Sequence, residues 1–261
     1  MNRTNIAAVG MPQGGTTALY NIINFIFMDN KIFTASALYH STGANAGEGA
    51  LTVVNEDLLR KISAMEDDPK IPRVIIVKEH HFVPFLCNEW ADIIFVMKRD
   101  IRDSIASRRR RGKPLISKGK IASDIHDYDP KTFEGFKTWC RYLTDDCFQR
   151  WVDAAKQNKT KIHIVDYAEY KTNPKLVIKL IYEQLQQYNS SLKLDEDKIL
   201  YTVNNLQEYD RNTTFFSPAM VTGGGKNNNF KDHLNQQELD YIQNNFKDWI
   251  NNERDIVQNK K

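Results

Sequence analysis

Four short runs of the chain are almost wholly apolar and stop at polar or glycine residues: 6–10, 74–78, 93–98 and 162–166. Runs this short and this rich in Ile and Val predict strands buried on both faces. Between and after them, apolar positions recur every three or four residues. That spacing predicts helices over 15–28, 101–110, 174–188 and 236–250. It also predicts one long amphipathic helix carrying Phe133, Phe136, Cys140, Leu143, Cys147, Trp151 and Ala154. Pro174 stands where a first helical residue is expected. Buried strands alternating with helices predict an α/β protein, three layers α/β/α around a central parallel sheet. Segments 111–131 and 208–233 show no period and are rich in Gly, Asn, Asp or Lys, as lids and binding loops are.

Composition narrows the class. The 261 residues are 41% hydrophobic and 26% charged, which suits an ordinary globular chain and predicts a single domain over 1–261 with a frayed end at 258–261. Thirty-six Lys and Arg against 33 Asp and Glu leave a net charge of +3, too little for a nucleic-acid partner. Cys87, Cys140 and Cys147 lack the spacing of a disulfide framework or a zinc cluster, and no metal-ligand spacing joins the histidines. Residues 1–5 are polar, unlike a signal peptide, and the longest apolar stretch, 18–28, is broken by Tyr20, Asn21 and Asn24. A reducing, cytoplasmic setting without a membrane partner is expected.

Two strand-to-helix turns carry the candidate chemistry. After the first strand, Gly10 and Gly15 have the spacing of a phosphate-binding loop, and Thr16 and Thr17 open a helix. Glycines let backbone N–H groups crowd an anion, and the helix start adds its positive dipole end. Thr16 stands where an ATP- or GTP-binding loop has lysine, which weighs against a kinase; a tight turn with a Thr cap is the plain alternative. After the third strand, Arg99 sits at the carboxyl end and Ser107 two helical turns later, a fork and a hydroxyl able to converge on a dianion. Arg108 to Arg111 read as a solvated basic helix end.

Taken together, these segments resemble the sulfotransferases that use 3'-phosphoadenosine 5'-phosphosulfate (PAPS). Pro12-Gln-Gly-Gly-Thr-Thr17 resembles the family's PKSGTT loop, and Arg99 and Ser107 keep the spacing of its 3'-phosphate motif. Lys78-Glu79-His80 resembles its Lys-Thr-His. The run Val165-Asp-Tyr167-Ala-Glu169 resembles its Tyr-Glu-Asp segment. Gly223-Gly224-Gly225-Lys226 with Phe230, Lys231 and His233 resembles its C-terminal motif. The matches run in the family's order from residue 6 to about 234.

The resemblance implies transfer of a sulfuryl group from PAPS to a hydroxyl or amine of a small-molecule acceptor, PAP being the product. It implies His80 as general base, with His81 as rival, and Lys78 as the cation at the transferring group. Gln13, Gly14, Gly15, Thr16 and Thr17 would hold the 5'-phosphate. Arg99 and Ser107 would hold the 3'-phosphate, Tyr167 would approach the adenine, and Gly223, Gly224, Gly225 and Lys226 would close over the nucleotide. No metal is implied, and a homodimer is allowed. Three positions depart from the family pattern: Gln13 for Lys or Arg, Ala18 for Trp, and Gly223-Gly-Gly for Arg-Lys-Gly. Lys78 or Arg102 is expected to replace the charge absent at Gln13. A silent nucleotide-binding member is the second reading. Segments 35–60 and 111–131 are the expected acceptor loops, while Phe82, Phe85, Trp139 and Tyr142 suit either a pocket wall or the core.

Overall fold

The computed structural model describes residues 3–12, 14–39, 52–65, 72–110, 132–159, 161–205 and 229–250. Six strands form one sheet: β1 (Thr4–Gly10), β2 (Thr34–Tyr39), β3 (Thr52–Val54), β4 (Val74–Glu79), β5 (Ile93–Lys98) and β6 (Ile162–Asp166). Their order is β3-β2-β4-β1-β5-β6, and every pairing is parallel. The helices in chain order are α1 (Thr16–Asp29), α2 (Glu56–Ser63), α3 (Ile101–Arg110), α4 (Phe133–Arg141), α5 (Arg150–Gln157), α6 (Tyr167–Thr172), α7 (Pro174–Gln186), α8 (Glu196–Asn204) and α9 (Gln236–Asn245).

Alternation along the strands divides the core in two. Ile6, Ala8, Val74, Ile76, Ile93 and Phe95 face α1, α7 and α8. Ala7, Val9, Ile75, Val77, Ile94 and Val96 face α2 to α5 and the chain from Phe230 onward. The three-layer architecture is therefore the expected one. β1, β4 and β5 occupy the middle of the sheet, covered on both faces, which is why they read as unbroken apolar runs.

Segment 35–60 is not simply a loop. It holds most of β2, all of β3 and the start of α2. β2 is built from Thr34-Ala-Ser-Ala-Leu-Tyr39 and β3 has three residues, so neither makes an apolar run. The long amphipathic helix is not a single α-helix either. A π-helical stretch, Tyr142–Gln149, separates α4 from α5. The Thr144 hydroxyl donates to the carbonyls of Cys140 and Arg141, competing with the regular ladder. The apolar stripe survives, since Phe136, Cys140, Leu143, Cys147 and Trp151 are all buried. Helix α9 ends at Asn245, and a 3-10 turn, Lys247–Trp249, completes the 236–250 pattern. Phe85, Trp139 and Tyr142 are buried core with Phe82 packed against them, so these aromatics are packing residues. Cys87, Cys140 and Cys147 are buried thiols. Among the described residues, no helix is long and apolar enough to cross a membrane.

Candidate active site

Parallel register brings four strand ends level. Val9 pairs with Glu79, Gly10 with Met97, and Lys98 with Asp166. β1 lies between β4 and β5, which follow one another in the chain, so the strand order reverses at the carboxyl end of β1. Open α/β sheets hold ligands at such points.

The loop from β1 to α1 is shaped for close approach. A Cβ on Gly10 would lie 2.6 Å from the Met97 carbonyl oxygen, and one on Gly15 would overlap the Tyr167 ring. Gly15 is also left-handed, φ 95°, so two independent constraints select glycine there. The Gly14 N–H donates to the Met11 carbonyl at 2.9 Å, closing the turn. No side chain caps α1 and no acidic residue stands in its first turn, which leaves its positive end suited to an anion. The hydroxyls of Thr16 and Ser104 are buried with no hydrogen-bond partner among the described residues.

Arg99 and Tyr167 meet across the strand ends. Asp166 caps α6 by accepting from the Ala168 and Glu169 amides at 2.6 and 3.2 Å, which sets Tyr167 as the first residue of that helix. The Arg99 guanidinium lies 4.6 Å from the centre of the Tyr167 ring, and the same ring lies against Gly15. Burial pushes the Tyr167 phenol up, against a smaller opposing pull from Arg99. The ring thus joins the glycine loop to Arg99. Ser107 is buried farther along α3.

The two histidines after β4 diverge. His80 Nδ1 lies 2.8 Å from the Gly10 carbonyl oxygen. A carbonyl only accepts, so Nδ1 carries a proton there, and in the neutral ring the lone pair is then on Nε2. His81 turns into the helical layer instead. Its Nε2 is 3.1 Å from the Tyr142 hydroxyl, its Nδ1 is 4.0 Å from Cys147 Sγ, and its carbonyl accepts from the Trp151 indole at 3.2 Å. Lys78 is buried on the opposite side of β4 from Glu79, the side of Ile76 and α1.

Basic residues of α3 are less solvated than the sequence suggests. Arg102 forms a bidentate pair with Asp100, 2.6 Å at its shortest, and lies over the Phe230 ring. Its charge is engaged by Asp100, the residue that precedes α3. Arg109 pairs with buried Glu238 and donates to the His233 carbonyl at 3.0 Å, so part of the basic run is a docking element. Gln13, Gly223, Gly224, Gly225 and Lys226 lie outside the described residues, as do segment 111–131 and the 258–261 end. Among the described residues, no group of three or more His, Cys, Asp or Glu is placed to hold a metal ion.

Residues 3–253 match the family model described as the sulfotransferase domain. The chain belongs to the sulfotransferase family. The sulfotransferase fold is seen again in the crystal structure of mouse sulfotransferase SULT7A1 complexed with PAP. That structure is 12% identical with a TM-score of 0.57, over 92% of this chain and 82% of that one. Retinol dehydratase in a complex with retinol and PAP is 13% identical with a TM-score of 0.55, over 95% of this chain and 82% of that one. The same enzyme with androsterone and PAP gives 14%, 0.55, 95% and 81%. No curated protein sequence matches this sulfotransferase significantly.

One feature of this site is silent in the sequence, the Gly10 carbonyl as partner of His80. A second, Glu79 behind both histidines, shows there only as a carboxylate closing the strand Val-Ile-Ile-Val-Lys-Glu.

Proposed function

We propose that this sulfotransferase moves a sulfuryl group from PAPS to a hydroxyl or amine of a small-molecule acceptor, releasing PAP. The observation that carries the reading is the placement of His80, whose Nδ1 is held on the carbonyl of the first residue of a glycine loop that opens an uncapped helix. The site suits the nucleotide. The glycine turn clears space for phosphate oxygens, the Thr16 hydroxyl is buried without a partner among the described residues, and Arg99 stands at the next strand end.

PAPS, when bound, supplies an activated sulfuryl group. Gly14, Gly15, Thr16 and Thr17 hold the 5'-phosphate, and Arg99 with Ser107 holds the 3'-phosphate. Tyr167 fixes Arg99 against the loop and approaches the adenine. Nε2 of His80 takes the acceptor's proton, a role suited to an imidazole near neutral pH. Lys78, itself buried, brings positive charge to the transferring group, and a charge shielded from water acts most strongly. Buried cysteine thiols fit a reducing cytoplasm.

Calorimetry with PAP, followed by transfer from labelled PAPS to a panel of phenols, alcohols and amines in the presence of a chelator, tests this. Micromolar PAP binding and metal-independent transfer are expected. Arg99→Ala should weaken PAP about 100-fold, the scale of a lost charge-assisted pair. A chain that does not bind PAP contradicts the proposal. The pairing of Arg102 with Asp100 favours one second reading, a member that binds the nucleotide without transferring sulfate, and PAP binding with no transfer to any acceptor would select it.

A further inference from the structure

The carboxylate of Glu79 closes the buried end of β4. One of its oxygens, Oε1, accepts from two successive backbone amides, His80 at 2.7 Å and His81 at 2.9 Å. These are the residues at which the chain divides its imidazoles between two destinations, His80 to the Gly10 carbonyl and His81 to Tyr142 and Cys147. The turn is gripped from a third direction by the Trp151 indole on the His81 carbonyl. Burial pushes the Glu79 carboxyl up to about 7, while the two amides and neighbouring Lys78 pull it down. A buried carboxylate is costly to keep unless it is satisfied, and here two amides of one turn satisfy it.

We propose that Glu79 is the positioning residue for His80: by accepting from both amides it sets the turn that aims His80 across the start of the glycine loop and sends His81 away from it. The functional weight of this role rests on the reading of His80 as base, but its geometry needs neither nucleotide nor acceptor. In physical terms, Glu79 fixes the backbone, the backbone fixes the ring, and the Gly10 carbonyl then holds a proton on Nδ1.

Nitrogen-15 imidazole spectra and amide hydrogen exchange of the nucleotide-free protein at alkaline pH test the proposal. In the natural protein, His80 is expected as the Nδ1–H tautomer. Glu79→Leu fills the buried position but removes the acceptor. It should move His80 toward the Nε2–H form and speed exchange of the His80 and His81 amides about tenfold or more. Its PAP affinity should stay within about twofold, separating a kcat effect from a binding effect. A folded Glu79→Leu protein with the natural tautomer and natural amide protection overturns the proposal. Should that variant fail to fold, Glu79→Gln decides. It keeps a neutral acceptor of about half the strength, so exchange should quicken roughly 3- to 10-fold with the tautomer retained, and unchanged exchange overturns the proposal. His80→Ala with undiminished transfer overturns the functional role through the base itself, whereas unchanged spectra overturn Glu79 alone.

Discussion

Two regions of this sulfotransferase bury polar groups, and they do so in opposite ways. Where β1 gives way to α1, the Thr16 hydroxyl is buried with no partner among the described residues, and the helix start has no side-chain cap. Where α3 meets the 229–250 segment, the buried charges of the described residues are matched. Arg109 meets Glu238, Arg102 meets Asp100, and Asp103 accepts from the Phe230 amide at 3.3 Å. Glu238 also closes a capping box with Asn235 at the start of α9. An unmatched buried polar group costs about 1–3 kcal/mol. The fold carries that cost at the end of β1, where an anion would remove it, and avoids it where two elements only have to stay docked.

Four substitutions would break or sharpen this contrast. His80→Ala should have the largest effect, a fall in kcat of about 10²- to 10⁴-fold with PAP affinity little changed, read by single-turnover transfer beside calorimetry. Next is Glu79→Gln. The folded-state carboxyl titrates at about 7 against an ordinary 4.5, with burial as the cause. The folded protein therefore holds an extra proton between those values, and stability falls as pH rises through that window. Glutamine has no proton to lose, so urea midpoints should decline less steeply through that pH window than in the natural protein. Glu238→Ala should cost about 2 kcal/mol by leaving Arg109 without its carboxylate, with transfer affected only through stability. Thr16→Val should be smallest on stability, a gain of up to about 1 kcal/mol in the nucleotide-free protein with PAP weakened about tenfold. Loss of stability in Thr16→Val would mean that the hydroxyl is already satisfied, and the contrast would fail.

What the sequence reveals follows the same physics. β1, β4 and β5 are legible because both their faces are buried, and the glycine loop is legible because close backbone approach admits few other residues. β2 escapes because its Thr, Ala and Ser residues give no apolar run, and α8 escapes with only Ile199, Thr202 and Val203 buried along nine residues. Arg99 is recognisable from its place at a strand end, but the partners of Arg102 and Arg109 are not. Glu238 lies 129 residues from Arg109, and no local pattern announces the pair. The choice between His80 and His81 is likewise invisible locally. It depends on Gly10, 70 positions away from His80, and on Tyr142, 61 from His81.

The all-parallel sheet has a consequence for synthesis. β1 pairs only with β4 and β5, beginning at Thr4 with Val74 and at Ile6 with Ile93. A ribosome adding about 5–20 residues per second needs roughly 4 to 17 seconds to travel from Ile6 to Ile93. For most of that interval, until β4 emerges, the apolar Ile6-Ala-Ala-Val9 stretch has neither of its neighbours, and until β5 follows one of its edges is still open to other nascent chains. The strand that ends in the glycine loop is thus the one that waits longest for its place, and holdase chaperones should be needed most before β5 emerges.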